Sequence, residues 1–311
     1  MISKYLQDSN QSYLQQQIND WINSNTQDSE YLLLIDGALL TQREYILLQK
    51  QLEEAPLVSL YQDTVFSSME RYGIQALHFI PKYWDQNRLN RELAPYLKVC
   101  NRKPTFSIVK LAQSFDLNFW LWLVDLQLEN DEQNYITRFA DTHAFSDLYQ
   151  ILNSQQLAYM ASYIDCWGIK NRKGEWQIFN FAMQHCTEHL EAFMLSEEQT
   201  DQLLRLSEAD NIYATLSDSI DIETYFQTAC DVQQHIYQLM GVAKKVGLNN
   251  YTDLLVFIKL FIKHNPEILT SYPIQSILKQ IPTQDINLDN EDRQEWFQRL
   301  TNILEHCTDS E

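Results

Sequence analysis

A chain of 311 residues with 42 acidic and 23 basic side chains carries a formal charge of −19, and 45% of it is hydrophobic, which is ample for a buried core and rules out a wholly disordered chain. Nucleic acid and anionic lipid are bound by clustered Lys and Arg, so neither is expected as a partner of so acidic a chain. Its 6 glycines stand nowhere close enough together to form a P-loop or a GxGxxG dinucleotide site, in which backbone N–H groups must approach phosphate.

The opening segment, MISKYLQDSNQSYLQQQ, is polar throughout and lacks the apolar stretch of a signal peptide. Tyr31 to Ile35 (YLLLI), closed by Asp36-Gly37, reads as a strand buried on both faces. Thr41 to Glu44 has the T-x-x-E spacing of a capping box, so a helix follows that strand. Further strands are expected at Leu57 to Tyr61, Ala76 to Pro81, Thr105 to Lys110 and Tyr135 to Phe139, with helices near 63–73, 86–98 and 116–126 between them. Near 165–179, two aromatic-containing runs flank the polar loop Lys170 to Gly174, which predicts a hairpin and the last clear sheet signal. From about Ser196 the pattern turns helical. Ser196 to Gln199 is a second capping box, and Ile222, Phe226, Ala229, Cys230, Ile236, Tyr237 and Met240 fall on one helical face. The run Leu254 to Ile262 is too short for the roughly 20 residues that cross a bilayer and reads as a buried helix. Asp289 precedes a final helix carrying Trp296, Phe297, Leu300, Ile303 and Leu304. Interleaved strands and helices give an α/β (α+β) fold: an N-terminal mixed sheet with flanking helices over residues 1–190, then an all-α lobe over 191–311.

Few residues suggest chemistry. The five cysteines are widely spaced and contain no CxxC, which fits a reducing cytosol better than a disulfide framework or a zinc ribbon. His185 and His189, four apart, would share a helical face, but the glutamate directly precedes the second histidine instead of following the first as in H-E-x-x-H. His78 and His143 lie on or beside expected strands, where a structural hydrogen bond is the ordinary role. The pairs Glu53-Glu54, Asp131-Glu132 and Glu197-Glu198 fall in polar turns or at helix starts and read as solvated charge. There is no G-x-S-x-G elbow. Trp120, Trp122 and Trp176, with Phe115, Phe119 and Trp167, form a dense aromatic population. Such rings serve either as core or as interface anchors. On a helix, Phe119 to Val124 would be apolar all round, so either most of it is buried in this chain or one side receives a partner.

Three segments in order resemble the type VI secretion effector-adaptor family, cytosolic chaperones that load toxin effectors onto the secretion spike. YLLLIDGALL (Tyr31 to Leu40) resembles the family's strand ending in Leu/Ile-Asp-Gly-Ala. Leu60-Tyr61 followed by Gly73 and an apolar strand is similar to its Leu-Tyr … Gly-Pro-x-Leu pattern, with Ile74 in place of the proline. Arg138-Phe139-Ala-Asp141-Thr-His, with trailing helices and a closing Trp167, is similar to its Arg-Phe-x-Asp-x-Arg segment, with Thr142 and His143 replacing the usual Pro and Arg. The resemblance covers roughly residues 28–180. It implies a bacterial cytoplasmic chaperone with no catalysis, cofactor or metal, whose partners are a toxin effector protein and the trimeric valine-glycine-repeat spike protein. Asp36, Gly37, Tyr61, Gly73, Arg138, Phe139, Asp141 and Trp167 are then scaffold residues, and Trp120, Trp122 and Trp176 candidate partner contacts. In physical terms Asp36-Gly37 closes a buried strand, with Gly37 free to take positive φ. Arg138, if buried, needs a carboxylate, for which Asp141 or Asp36 is the natural candidate. An alternative with equal support from charge is an acidic immunity protein that neutralises a toxin by direct binding.

Overall fold

The computed structural model describes residues 11–26, 28–51, 57–62, 64–84, 86–99, 103–181, 190–217, 226, 229–264, 266–279 and 290–308. They form two compact units, 1–207 and 208–311. The first contains all nine strands seen among the described residues: β1 (Tyr31–Asp36), β2 (Val58–Ser59), β3 (Ile74–Phe79), β4 (Phe106–Leu111), β5 (Asp125–Leu128), β6 (Asn134–Ile136), β7 (Ile164–Lys170), β8 (Trp176–Asn180) and β9 (Phe193–Leu195). Its helices are α1 (Gln11–Asn23), α2 (Gln42–Gln51), α3 (Gln86–Val99), α4 (Leu117–Val124), α5 (Thr142–Ile151) and α6 (Ser154–Ala161), followed by α7 (Glu197–Ser217), which runs on into the second unit.

The large sheet has the order β2-β3-β1-β4-β7-β8, and all of its pairings are antiparallel. The mixed pairing expected from sequence is confined to a small sheet, in which β5 pairs antiparallel with β6 and parallel with β9. Every residue of β1 is buried, because alternate side chains enter two different cores. Tyr31, Leu33 and Ile35 pack with α1, α2 and α3, whereas Leu32 and Leu34 pack with α4, α5 and α6. The capping box forms as the spacing predicts: Glu44 Oε2 accepts from Thr41 N at 2.7 Å and from its hydroxyl at 2.6 Å. The hairpin is β7–β8. The 63–73 region is a 3-10 helix at Ser67–Tyr72, and only Val58–Ser59 of the expected strand at 57–61 pairs.

Three elements of the first unit were not anticipated. α1 carries its buried Leu14, Ile18, Trp21 and Ile22 at helical spacing within a polar segment. β5 and β9 are 4 and 3 residues long, too short for periodicity to distinguish them. Because β9 pairs with β5, sheet structure extends to Leu195, and the compact unit ends at 207.

The second unit is helical among its described residues: the end of α7, then α8 (Ala229–Lys245), α9 (Tyr251–Phe261), α10 (Tyr272–Leu278) and α11 (Asn290–Thr308). α9 buries Leu254, Phe257, Ile258 and Phe261, as the apolar run predicts. On the face read from Ile222 to Met240, Ile236 and Met240 are buried, while Ile222 lies outside the described residues. Trp296, Leu300 and Leu304 are buried on α11, and Trp296 Nε1 donates to the Ile277 carbonyl at 3.2 Å.

Candidate functional site

The residues singled out from sequence meet at the C-terminal end of β1. Asp36, its last residue, is buried and accepts from Arg138 through one oxygen: Nε at 3.0 Å and Nη2 at 2.9 Å both reach Oδ2. The same Nη2 is 3.4 Å from Asp141 Oδ2. The remaining carboxylate oxygens are held by backbone. Asp36 Oδ1 accepts from Ala38 N at 2.9 Å, and Asp141, N-cap of α5, accepts through Oδ1 from His143 N and Ala144 N. Arg138 thus has both carboxylates that sequence offered it. Thr105 ties in a third segment: its hydroxyl accepts from Asp36 N at 2.8 Å and donates to Asp36 O at 2.9 Å.

Two carboxylates on one guanidinium leave an excess of negative charge in a poorly hydrated place, and that perturbs both groups. Burial raises Asp36 above its ordinary value, against the pull of Arg138. Burial also pushes Asp141 up to about 7, opposed by Arg138 and reinforced by the Asp36 charge. One side of the triad faces water, since the Arg138 side chain is 46% exposed while those of Asp36 and Asp141 are 4% and 12% exposed. With three carboxylate oxygens accepting hydrogen bonds and the fourth in an ion pair, the arrangement acts as a clamp joining the ends of β1 and β6, the start of β4 and the start of α5.

Gly37 and Gly73 extend the clamp to the segment before β3. Gly37 N donates to Gly73 O at 3.0 Å. A Cβ on Gly37 would stand 2.6 Å from that oxygen and closer still to the Arg71 carbonyl oxygen. Gly37 is needed for this close approach and not for a positive φ as expected; the positive-φ glycines are Gly174 and Gly247. A Cβ on Gly73 would lie 2.6 Å from Tyr61 Cγ, so the buried Tyr61 ring lies directly against the glycine. Burial and the Asp36 charge both raise the Tyr61 phenol, with Arg138 opposing.

Phe139 and Trp167 anchor the cluster in the core. Trp167 stacks on Phe145 at 4.0 Å and meets Phe139 edge-on at 5.7 Å and Trp120 at 5.9 Å. Trp120 and Trp122, candidate partner contacts from sequence, are corrected to core residues: α4 buries both, together with Phe119, Leu123 and Val124. Trp176 is half-buried and packs on Trp21 and Phe106. His143 is buried, and burial holds it well below its ordinary value; His78 pairs with Glu30 at 3.0 Å on the surface. His185 and His189 lie outside the described residues. Among the described residues no group of His, Cys, Asp and Glu is placed to hold a metal ion, and no helix is long and apolar enough to cross a membrane.

The segment braced by Gly73 and Tyr61 also walls an apolar groove of about 630 Å³. Val58, Val65 and Phe66 line one side, and Phe115, Leu117 and Leu121 the other. The structure therefore divides α4 between the two roles that its sequence left open. Five of its residues are core, and Leu117 and Leu121, one turn apart, face the groove. Sequence reasoning did not find this feature, because its walls lie some fifty residues apart in the chain and Val58 and Val65 carry no periodic signal. No protein family, curated protein or solved structure matches the chain.

Proposed function

We propose that this chain is a cytoplasmic adaptor that holds a type VI secretion toxin effector and helps to load it onto the trimeric spike protein, with no chemistry of its own. One observation carries the reading. The eight residues through which the sequence resembles the adaptor family, spread from Asp36 to Trp167, make a single connected cluster. A shared family scaffold would bring its motif residues together in this way. Their arrangement supports a scaffold role, since buried charge, close glycine contacts and stacked rings fix the segment from Leu57 to Gly73. The formal charge of −19 suits a soluble carrier for a cargo with a basic surface.

The test is co-purification of the full chain with the toxin encoded beside its gene and with a carboxy-terminal fragment of the cognate spike protein. Recovery of one complex containing all three components is the expected result. Binding to the toxin with direct inhibition of its activity, and no contact with the spike, would instead make the chain an immunity protein.

A further inference from the structure

We propose that the apolar groove beside β2 docks an extended segment of the partner protein, which lies along the β2 edge and places a lysine or arginine against Asp125. The inference rests on the adaptor reading only in taking that segment to belong to the effector or the spike.

Three observations fix the chemistry of the occupant. The first is the edge. β2 ends the large sheet and pairs with β3 alone among the described residues, so an extended chain can lie along its other side, with backbone groups supplying affinity and alternate side chains entering the groove. The second is the apolar surface beside that edge. Val58, Val65, Phe115 and Leu117 are all exposed, Val65 by 89%, and they surround one cavity. Contiguous exposed apolar side chains of this kind mark binding surfaces more often than scattered ones do. The third is charge. Among the described residues, Asp125 is the one ionisable residue lining the groove. Its Oδ2 accepts from Asn134 Nδ2 at 3.2 Å, whereas its Oδ1 is shielded from solvent with no donor among the described residues. Asp116, between Phe115 and Leu117, adds a carboxylate at the rim while capping α4. A cationic side chain entering among the apolar ones would meet the Asp125 carboxylate with its opposite charge. An anionic occupant would meet like charge there, and a purely apolar one would offer that carboxylate no countercharge. The net charge of the whole chain favours the same sign of partner.

The motif cluster holds this groove open. The Tyr61 ring lies against Gly73 and packs on Phe66 at 5.6 Å. Ser59 Oγ donates to the Glu70 carbonyl at 3.1 Å, so the β2 wall is tied to the 3-10 helix behind it. A pre-formed wall loses little entropy on binding.

Selection of random dodecapeptides displayed on phage against the full chain tests the proposal, with the most enriched peptide then synthesised for calorimetry. The expected peptides alternate apolar and polar residues and carry a lysine or arginine at a fixed place. Val65→Glu and Leu117→Glu, both at exposed positions, each weaken the peptide about tenfold or more while leaving thermal stability unchanged. Asp125→Asn weakens the lysine peptide but not its Lys→Gln version, and amide exchange slows at residues 57–62 when peptide is bound. Failure to enrich any peptide overturns the proposal. So does an acidic consensus, a peptide that binds as a helix, or affinity indifferent to Val65→Glu and Leu117→Glu. Self-association of the chain that Val65→Glu abolishes overturns it in favour of a second copy as occupant. An effector that co-purifies equally well with Val65→Glu removes the groove and leaves the adaptor reading intact. Enriched peptides that bind as described, with no effector or spike in the pull-down, do the reverse.

Discussion

Replacing Arg138 with alanine should destabilise the first unit without altering the partner affinity of the molecules that remain folded. The substitution removes the contacts of 3.0 and 2.9 Å to Asp36 and of 3.4 Å to Asp141 and leaves two buried carboxyl groups with no cation. Removing one partner of a fully buried ion pair costs about 3–5 kcal/mol. Here the guanidinium is 46% exposed, so water reaches the vacated side and proton uptake relieves part of the repulsion; about 2–3 kcal/mol remains. For a unit of this size that lowers Tm by roughly 4–12 °C. The loss also depends on pH. Asp141 sits at about 7 against an ordinary 3.8; a raised carboxyl stabilises the fold fully below its unfolded value, and that contribution is lost as pH rises through 7. Without Arg138 both carboxyls move further up, so the variant should suffer more at pH 8 than at pH 5. Calorimetry at the two pH values, alone and with the proposed effector, measures both effects. Adding Asp141→Asn should restore part of the loss, because asparagine keeps an acceptor for the α5 amides and removes one uncompensated charge. An unchanged Tm accompanied by lost effector binding would refute the clamp and make Arg138 a recognition residue.

As pH falls from 8 to 5 the natural chain should gain stability relative to the Asp141→Asn variant, because Asp141 takes up its proton in the folded state near 7. Buried His143, held well below its ordinary 6.5, destabilises both proteins below that pH, so the readout is the difference between their Tm values, and a constant difference would refute the assignment. Gly73→Ala should cost about 1–3 kcal/mol by overpacking against the Tyr61 ring, and Gly37→Ala more, because the atoms it meets are backbone oxygens; urea midpoints would rank them, and the reverse order would be incompatible with the geometry. Trp120→Ala should cost about 3–5 kcal/mol as a buried core truncation, with a urea midpoint that falls accordingly; an unaltered midpoint with weaker partner binding would return Trp120 to the surface.

What could be read from sequence was local. β1 announces itself by five apolar residues and an Asp-Gly stop, and the box at Thr41 to Glu44 by the two side chains that satisfy each other. The hairpin of β7 and β8 shows in the polar loop between them. The pairing of Arg138 could be narrowed to Asp36 or Asp141 by charge alone, but that it takes both depends on where β1 and α5 end in space. Trp120 and Trp122 could not be assigned from sequence, because an all-apolar helix has no polar face to mark its outside. The groove is legible only once residues 58–66 and 115–125 have been brought together by the fold.

The distance along the chain between clamp partners has a consequence for synthesis. Asp36 is separated by 69 residues from Thr105 and by 102 from Arg138, and β5 acquires its parallel neighbour only when Phe193 to Leu195 have been made. A ribosome adding roughly 5–20 residues per second takes several seconds to pass from Arg138 to Leu195. During that interval the face of β1 that packs with α4, α5 and α6 waits for a finished layer. Contacts of such long sequence separation also form slowly once they become available. The nascent chain therefore passes through a period with apolar strands uncovered, when the mutual repulsion of its acidic side chains is what keeps neighbouring unfinished copies apart.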